Sequence, residues 1–338
     1  MNKINTVGVD LAKNTFHLCI QDDKGNTLKK VMLSRQKFKQ FLATEAPSRL
    51  VFESCSTSYW FRIASSHGHT AQLIHPTYVK AFVRTNKNDF NDAEAICEAA
   101  SRPNMRYVSP KSIAQQGIQL LHRIRQRQVQ QRTAIANQIR GQLLEYGLTI
   151  PAGINQVKNL LPRYLEDAEN ELTPLTRVLF SELREELVAL NGRIGDCDKK
   201  IKQMAAEHPI CERLMKIPGI GPITATALIS TVGKASNFKN GRELSAWLGL
   251  VPRQHSTGGK NKLLGISKRG DSYVRSLLVQ GAISAMTRCK NKTDNQLRWA
   301  QQLRARKGLQ KAAVALANKM ARIIWSVMAK DHDYVVMS

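Results

Sequence analysis

Between residues 4 and 80 the chain alternates short apolar runs with turn signals in an order that few architectures accommodate: strand, strand, strand, helix, strand, helix, strand. The segments NTVGVDLA, TFHLCIQD and TLKKVMLS are rich in β-branched and apolar residues, and turn-forming stretches such as DDKGN separate them. A helix is predicted from Arg35 to about Glu45, with Phe38, Phe41 and Leu42 at amphipathic spacing. RLVFES, a helix around SYWFRIASSHG, and TAQLIHP complete the series. Three meandering strands followed by alternating helix and strand predict a mixed sheet covered by helices.

That order suits a ribonuclease H-like fold, in which the first and fourth strands lie side by side. Asp10 in VGVDLAKNT and Glu53 in LVFES would then point into one cleft. The helix opening at KNDFNDAEAI adds Asp89 and Asp92, spaced i, i+3 and so on one helix face. Apolar neighbours place Asp10 and Glu53 in otherwise buried strands, where an uncompensated charge is expensive. A pair of Mg²⁺ ions roughly 4 Å apart would supply the counter-charge and polarise a scissile phosphate. Each acid taken alone reads as a helix cap or a surface charge; the order and spacing of all four point to a metal site. The actin-like sugar kinases also open on an Asp-bearing strand turn, but they need a second related domain and glycine-rich adenosine motifs, which the C-terminal half lacks.

After Pro103 the composition changes. The stretch QQGIQLLHRIRQRQVQQRTAIANQIRGQLLEYG is rich in Gln and Arg and free of proline, which predicts a long, basic, exposed helix. Its charges from 115 to 142 suit a nucleic-acid backbone or a solvated face. In the next long helix Leu183, Leu187, Leu190, Ile194, Cys197, Ile201 and Met204 alternate steps of four and three, an a/d seam over roughly three heptads. Such a seam packs against a helix of its own chain or joins two chains, and the sustained heptads favour the second reading. From Pro209 a mostly helical region begins with LMKIPGIGPITATALIS, where Gly219 and Gly221 flank Ile220 ahead of an apolar helix. The pattern reads as a helix-hairpin-helix element whose backbone N–H groups face a DNA phosphate, or as a simple turn.

The 338 residues carry a formal net charge of +25 with a pI near 10.1, far beyond what solubility requires, which points to a polyanionic partner such as nucleic acid. Cys19, Cys55, Cys97, Cys197, Cys211 and Cys289 are scattered without a C-x-x-C pair, which argues against a zinc site or disulfide framework and fits a reducing cytoplasm. No apolar run reaches the roughly 18 residues of a membrane span, and the N-terminal MNKINTVGVDLAK has no signal-peptide core, so neither export nor membrane spanning is expected.

Residues 247–270 read WLGLVPRQHSTGGKNKLLGISKRG and put Ser256 in a polar, glycine-bearing turn flanked by Arg253, Lys260, Lys262, Lys268 and Arg269. Such a loop is flexible enough to approach a phosphate backbone and positive enough to hold one. On its chemistry alone Ser-Thr-Gly-Gly reads as a turn. His255 is expected to be a bystander, because neighbouring side chains in an extended loop point apart.

Together these motifs resemble the DEDD transposases of bacterial insertion sequences, which act as bridge-RNA-guided recombinases. The match covers nearly the whole chain: G-V-D-x-A-K, a Glu-bearing strand and N-D-x-x-D-A, then the coiled-coil stretch, then I-P-G-I-G-P-x-T-A, W-L-G-L-V-P-R-Q-x-S-T-G-G and S-K-R-G. The resemblance implies an α/β domain of RuvC-like mixed-sheet type over 1–105, a long-helix coiled-coil region over 106–208 and a mostly helical transposase domain over 209–338. It makes Asp10, Glu53, Asp89 and Asp92 the tetrad for two Mg²⁺ ions and Ser256, rather than the adjacent Thr257, the nucleophile that becomes joined to DNA. A phosphoserine link preserves the energy of the broken strand, so rejoining needs no ATP, in line with the missing nucleotide motif.

The same resemblance implies a structured noncoding RNA that pairs with donor and target DNA, and a homo-oligomer, dimer or tetramer, in which the RuvC-like domain of one subunit approaches the transposase domain of another. It implies a bacterial, cytoplasmic protein, associated with the nucleoid when acting. Two readings compete. A RuvC-type structure-selective endonuclease would use water and form no covalent adduct; a non-catalytic nucleic-acid-binding protein would carry the acids as structural groups.

Overall fold

In a computed structural model, which describes residues 4–55, 58–83, 88–288 and 294–335, the chain divides into two compact units, Met1–Ser112 and Ile113–Ser338. The first contains strands β1 (Thr6–Leu11), β2 (Thr15–Gln21) and β3 (Thr27–Ser34), helix α1 (Arg35–Thr44), β4 (Arg49–Glu53), α2 (Ser58–Ser66), β5 (Thr70–Ile74), the short α3 (Pro76–Val79) and α4 (Asp89–Ala100). The five strands lie in the order β3-β2-β1-β4-β5. β1 is antiparallel to β2 and parallel to β4, as the meander-then-crossover order requires.

Alternation decides what each face buries. Val7, Val9, Phe16, Leu18, Leu50 and Phe52 form one apolar face with Phe38 and Leu42 of α1 and Trp60 and Ala64 of α2. Val51 falls on the other face and packs with Ala95, Ile96 and Ala99 of α4. Gly8 lets α4 come close: a Cβ there would lie 2.3 Å from the Ala93 carbonyl oxygen. Its N–H donates instead to Cys97 Sγ at 3.0 Å.

The second unit comprises α5 (Ile113–Leu143), α6 (Ile154–Glu166), α7 (Pro174–Glu207), α8 (Pro209–Met215), α9 (Pro222–Val232), α10 (Gly241–Trp247), the strands β6 (Pro252–Gln254) and β7 (Leu263–Ile266), α11 (Ser272–Arg288), α12 (Asn295–Lys307) and α13 (Leu309–Lys330). Its core joins Leu228, Leu244, Leu278, Leu316, Met320 and Ile324. α13 is long and apolar enough to cross a membrane by length and composition, yet its Leu316, Met320 and Ile324 are buried in this core.

The heptad seam of α7 is covered within its own chain, not by a second copy as the sequence favoured. α5 and α7 run antiparallel, with Arg125 bonded to Asp198 and Arg132 to Asn191. Leu187 and Leu190 are buried with Ile139 and Leu143 of α5 and Val157 and Leu161 of α6. An a/d pattern specifies an apolar stripe without naming the helix that meets it, and the reversal after α5 brings the nearest candidate back.

Candidate metal centre and serine hairpin

Asp10 and Glu53 directly follow Val9 and Phe52, the last registered pair of the parallel strands β1 and β4. Both acids therefore sit at the carboxyl ends of adjacent parallel strands, where open α/β sheets place ligands. Asn88 caps α4, its side chain accepting the Phe90 N–H at 3.0 Å, and so sets Asp89 and Asp92 in the first turn. One carboxylate oxygen each from Asp10, Asp89 and Asp92 lies within 4.8 Å of the others.

Glu53 stands outside that tightest group but within its field. Burial first, then the charges of Asp10 and Asp92, raise its carboxyl above the ordinary value. Asp10 is raised likewise, by burial and then by Asp92 and Asp89. Unrelieved repulsion among convergent carboxylates is what a divalent cation offsets, and an all-oxygen donor set suits a hard ion such as Mg²⁺ or Mn²⁺. The residues present thus fit a metal, which Asp10, Asp89, Asp92 and Glu53 would hold. His17, which the sequence reading passed over, lies beside them with Nδ1 3.5 Å from Asp89 Oδ2.

The segment read as an extended turn is a two-stranded hairpin, with Pro252 opposite Ile266 and Gln254 opposite Leu263. Gly258 and Gly259 take positive φ at its tip, and the His255 N–H donates to the Lys262 carbonyl at 2.9 Å. Ser256 is exposed and held by two amides: Gln254 Nε2 donates to its Oγ at 2.9 Å, and Oγ donates to Asn261 Oδ1 at 3.0 Å. Gln254 also donates to Asn261 at 3.2 Å. Neither amide was picked out from the sequence, although both border the Ser-Thr-Gly-Gly turn. Arg253, Lys260, Lys262, Lys268 and Arg269 are exposed, and among the described residues none is ion-paired.

The two glycines of the α8–α9 hairpin differ in purpose. Gly219 has φ of +89°, and a Cβ there would lie 2.4 Å from the Gly281 carbonyl oxygen, so close helix packing accounts for it. Gly221 precedes α9 with open space around its Cα and no side-chain cap, leaving the first N–H groups of that helix free of a capping side chain.

Comparison with known proteins agrees along both units. A family model described as "Transposase IS116/IS110/IS902 family" matches residues 211–298, and a DEDD-type model of IS110 transposases, described as "Transposase", matches residues 7–148. The chain is 42% identical over 335 residues to the transposase for insertion sequence element IS1111A of Coxiella burnetii, covering 99% of this chain and 92% of the relative. It is 42% identical to a probable family 20 transposase of Pseudomonas aeruginosa, covering 98% of each. It is also 42% identical to the transposase for insertion sequence element IS1328 of Yersinia enterocolitica, covering 97% of each.

Proposed function

Since this chain belongs to the IS110 family of insertion-sequence transposases, we propose that it cuts and rejoins DNA through a covalent phosphoserine intermediate. Ser256 is the nucleophile, and Asp10, Glu53, Asp89 and Asp92 hold two Mg²⁺ ions. The observation that carries the reading is the convergence of Asp10, Asp89 and Asp92 within 4.8 Å, with Asp10 and Glu53 both raised by burial and by like charge. Divalent ions held by these carboxylates would supply positive charge to offset that on the phosphoryl oxygens and the leaving oxygen. Ser256 Oγ forms a bond to phosphorus as a DNA hydroxyl leaves, and attack by a DNA hydroxyl on the phosphoserine reseals the strand. The amides of Gln254 and Asn261 restrict the hydroxyl, and the five exposed cations of the hairpin region hold the phosphate backbone.

A structured noncoding RNA supplies sequence choice, and the protein works as a homo-oligomer. The charge of +25 and the exposed Arg123 and Arg127 on α5 support a second polyanion besides DNA.

The test is incubation of purified protein with Mg²⁺, labelled element-junction and target DNA and the flanking noncoding RNA, followed by a denaturing gel. A shifted protein–DNA adduct that needs RNA and vanishes in Ser256→Ala is expected. Free cleaved strands without any adduct would transfer the chemistry to a water-using nuclease.

A further inference from the structure

His17 stands directly opposite Asp10 in the antiparallel pair β1–β2, and directly opposed residues project from the same face of a sheet. That face is the one α4 covers. Gly8, two residues before Asp10, donates to Cys97, and Cys19, two residues after His17, is buried with Ala93 and Cys97. His17 is 8% exposed as a residue, and its ring meets Phe90 of α4 edge-on at 4.8 Å. Its Nδ1 points at the carboxylate group, 3.5 Å from Asp89 Oδ2, and has no hydrogen-bond partner among the described residues. A buried ring nitrogen without a partner is costly, so its placement calls for one that arrives when the site is filled. Asp89 is the complementary case: its side chain is 56% exposed, and as the first residue of α4 it has little packing to orient it.

We propose that His17 is a positioning residue of the metal centre, donating from Nδ1 to Asp89 Oδ2 as the carboxylates close on a divalent cation. The proposal rests on the reading of the four carboxylates as metal ligands. Outer donors of this kind fix the orientation of a ligating carboxylate, and removing one typically weakens metal affinity by about 10- to 100-fold. Phe90 packs edge-on against the ring whose Nδ1 lies 3.5 Å from Asp89 Oδ2.

The test uses the full chain with Mn²⁺ as probe, measuring free ion by electron paramagnetic resonance during titration. His17→Phe keeps an aromatic side chain and removes the donor; His17→Asn places an amide N–H near the position of Nδ1. His17→Phe is expected to weaken Mn²⁺ binding about tenfold or more, and His17→Asn to restore it to within about threefold of wild type. Bound Mn²⁺ in the wild type is expected to show no hyperfine coupling to a directly ligating nitrogen. Wild-type affinity in His17→Phe, failure of His17→Asn to restore binding, or a strong nitrogen coupling would each overturn the positioning role. If His17→Phe does not fold, His17→Leu, which also lacks the donor, takes its place with the same expected and overturning outcomes. Asp10→Asn and Asp92→Asn separate the two levels of argument. Undiminished binding in both removes the metal centre itself, whereas loss there with full binding in His17→Phe removes only His17.

Discussion

Ser256 Oγ donates to Asn261 Oδ1 at 3.0 Å across the tip of the β6–β7 hairpin, while Gln254 Nε2 donates to the same hydroxyl at 2.9 Å. One amide oxygen accepts a hydrogen bond from the serine O–H and the other amide donates to a lone pair, so the hydroxyl has a defined orientation without any contribution from His255. Removing the acceptor in Asn261→Ala forfeits a bond of about 0.5–1.5 kcal/mol. Adduct formation should therefore slow by roughly 2- to 10-fold, with at most a small drop in melting temperature because the exposed groups exchange the lost bond for water. Single-turnover adduct kinetics measure this, and an unchanged rate would show that the amides do not orient the reacting group.

The hairpin glycines should separate folding from DNA binding. Gly219→Ala places a methyl against Gly281 at a positive φ and should cost about 2 kcal/mol or more, read as a lowered melting temperature. Gly221→Ala meets open space, so it should cost only the preference of an N-cap for glycine over alanine, about 0.5–1 kcal/mol. If the start of α9 holds a phosphate, Gly221→Ala nevertheless weakens DNA binding in a filter or anisotropy assay.

Gly8→Ala tests how α4 is seated. A methyl 2.3 Å from the Ala93 carbonyl and 2.7 Å from Cys97 Sγ must push the helix off the sheet. A loss on the order of 2–3 kcal/mol in denaturant unfolding is expected, together with loss of any Mg²⁺-dependent stabilisation, because Asp89 and Asp92 ride on that helix.

His122 gives a pH dependence of defined sign. It is 3% exposed, with Nδ1 3.0 Å from Tyr273 Oη and Nε2 3.0 Å from Thr226 Oγ1. Burial first, and then the Arg125 charge, push the imidazole down from 6.5 to about 4. Between those values the unfolded chain binds the proton and the folded chain does not. The contribution is thus fully present above pH 6.5 and is lost as the pH falls toward 4, by about 3 kcal/mol in total. The difference in unfolding free energy between wild type and His122→Gln, followed from pH 8 to pH 4, should narrow by an amount of that order.

Neutralising Arg253, Lys260 and Lys262 together should weaken DNA binding at every sequence alike. If each meets one phosphate, the slope of log affinity against log salt becomes shallower by about 0.9 for every phosphate left without its cation. An unaltered slope would assign these side chains to the solvent.

The α/β unit was legible because its determinants are local. A period of two in TVGVDL and TFHLCIQ and turn-forming stretches such as DDKGN act within a few residues, so the strands and the acids Asp10, Glu53, Asp89 and Asp92 could all be placed in sequence. What stayed hidden depends on which distant segments meet. The a/d stripe of α7 required burial but left its partner open, and the choice of α5 and α6 came from chain reversal. Gly219 answers to Gly281, far along the chain, and Gln254 reaches Ser256 and Asn261 only once the hairpin has closed. His17 meets Asp10 and Asp89 through cross-strand register and the docking of α4. Sequence by itself determined which residue types lie on each face of each element; tertiary structure decided which faces touch, because packing over the whole chain settles which surfaces meet and periodicity carries no address for the partner.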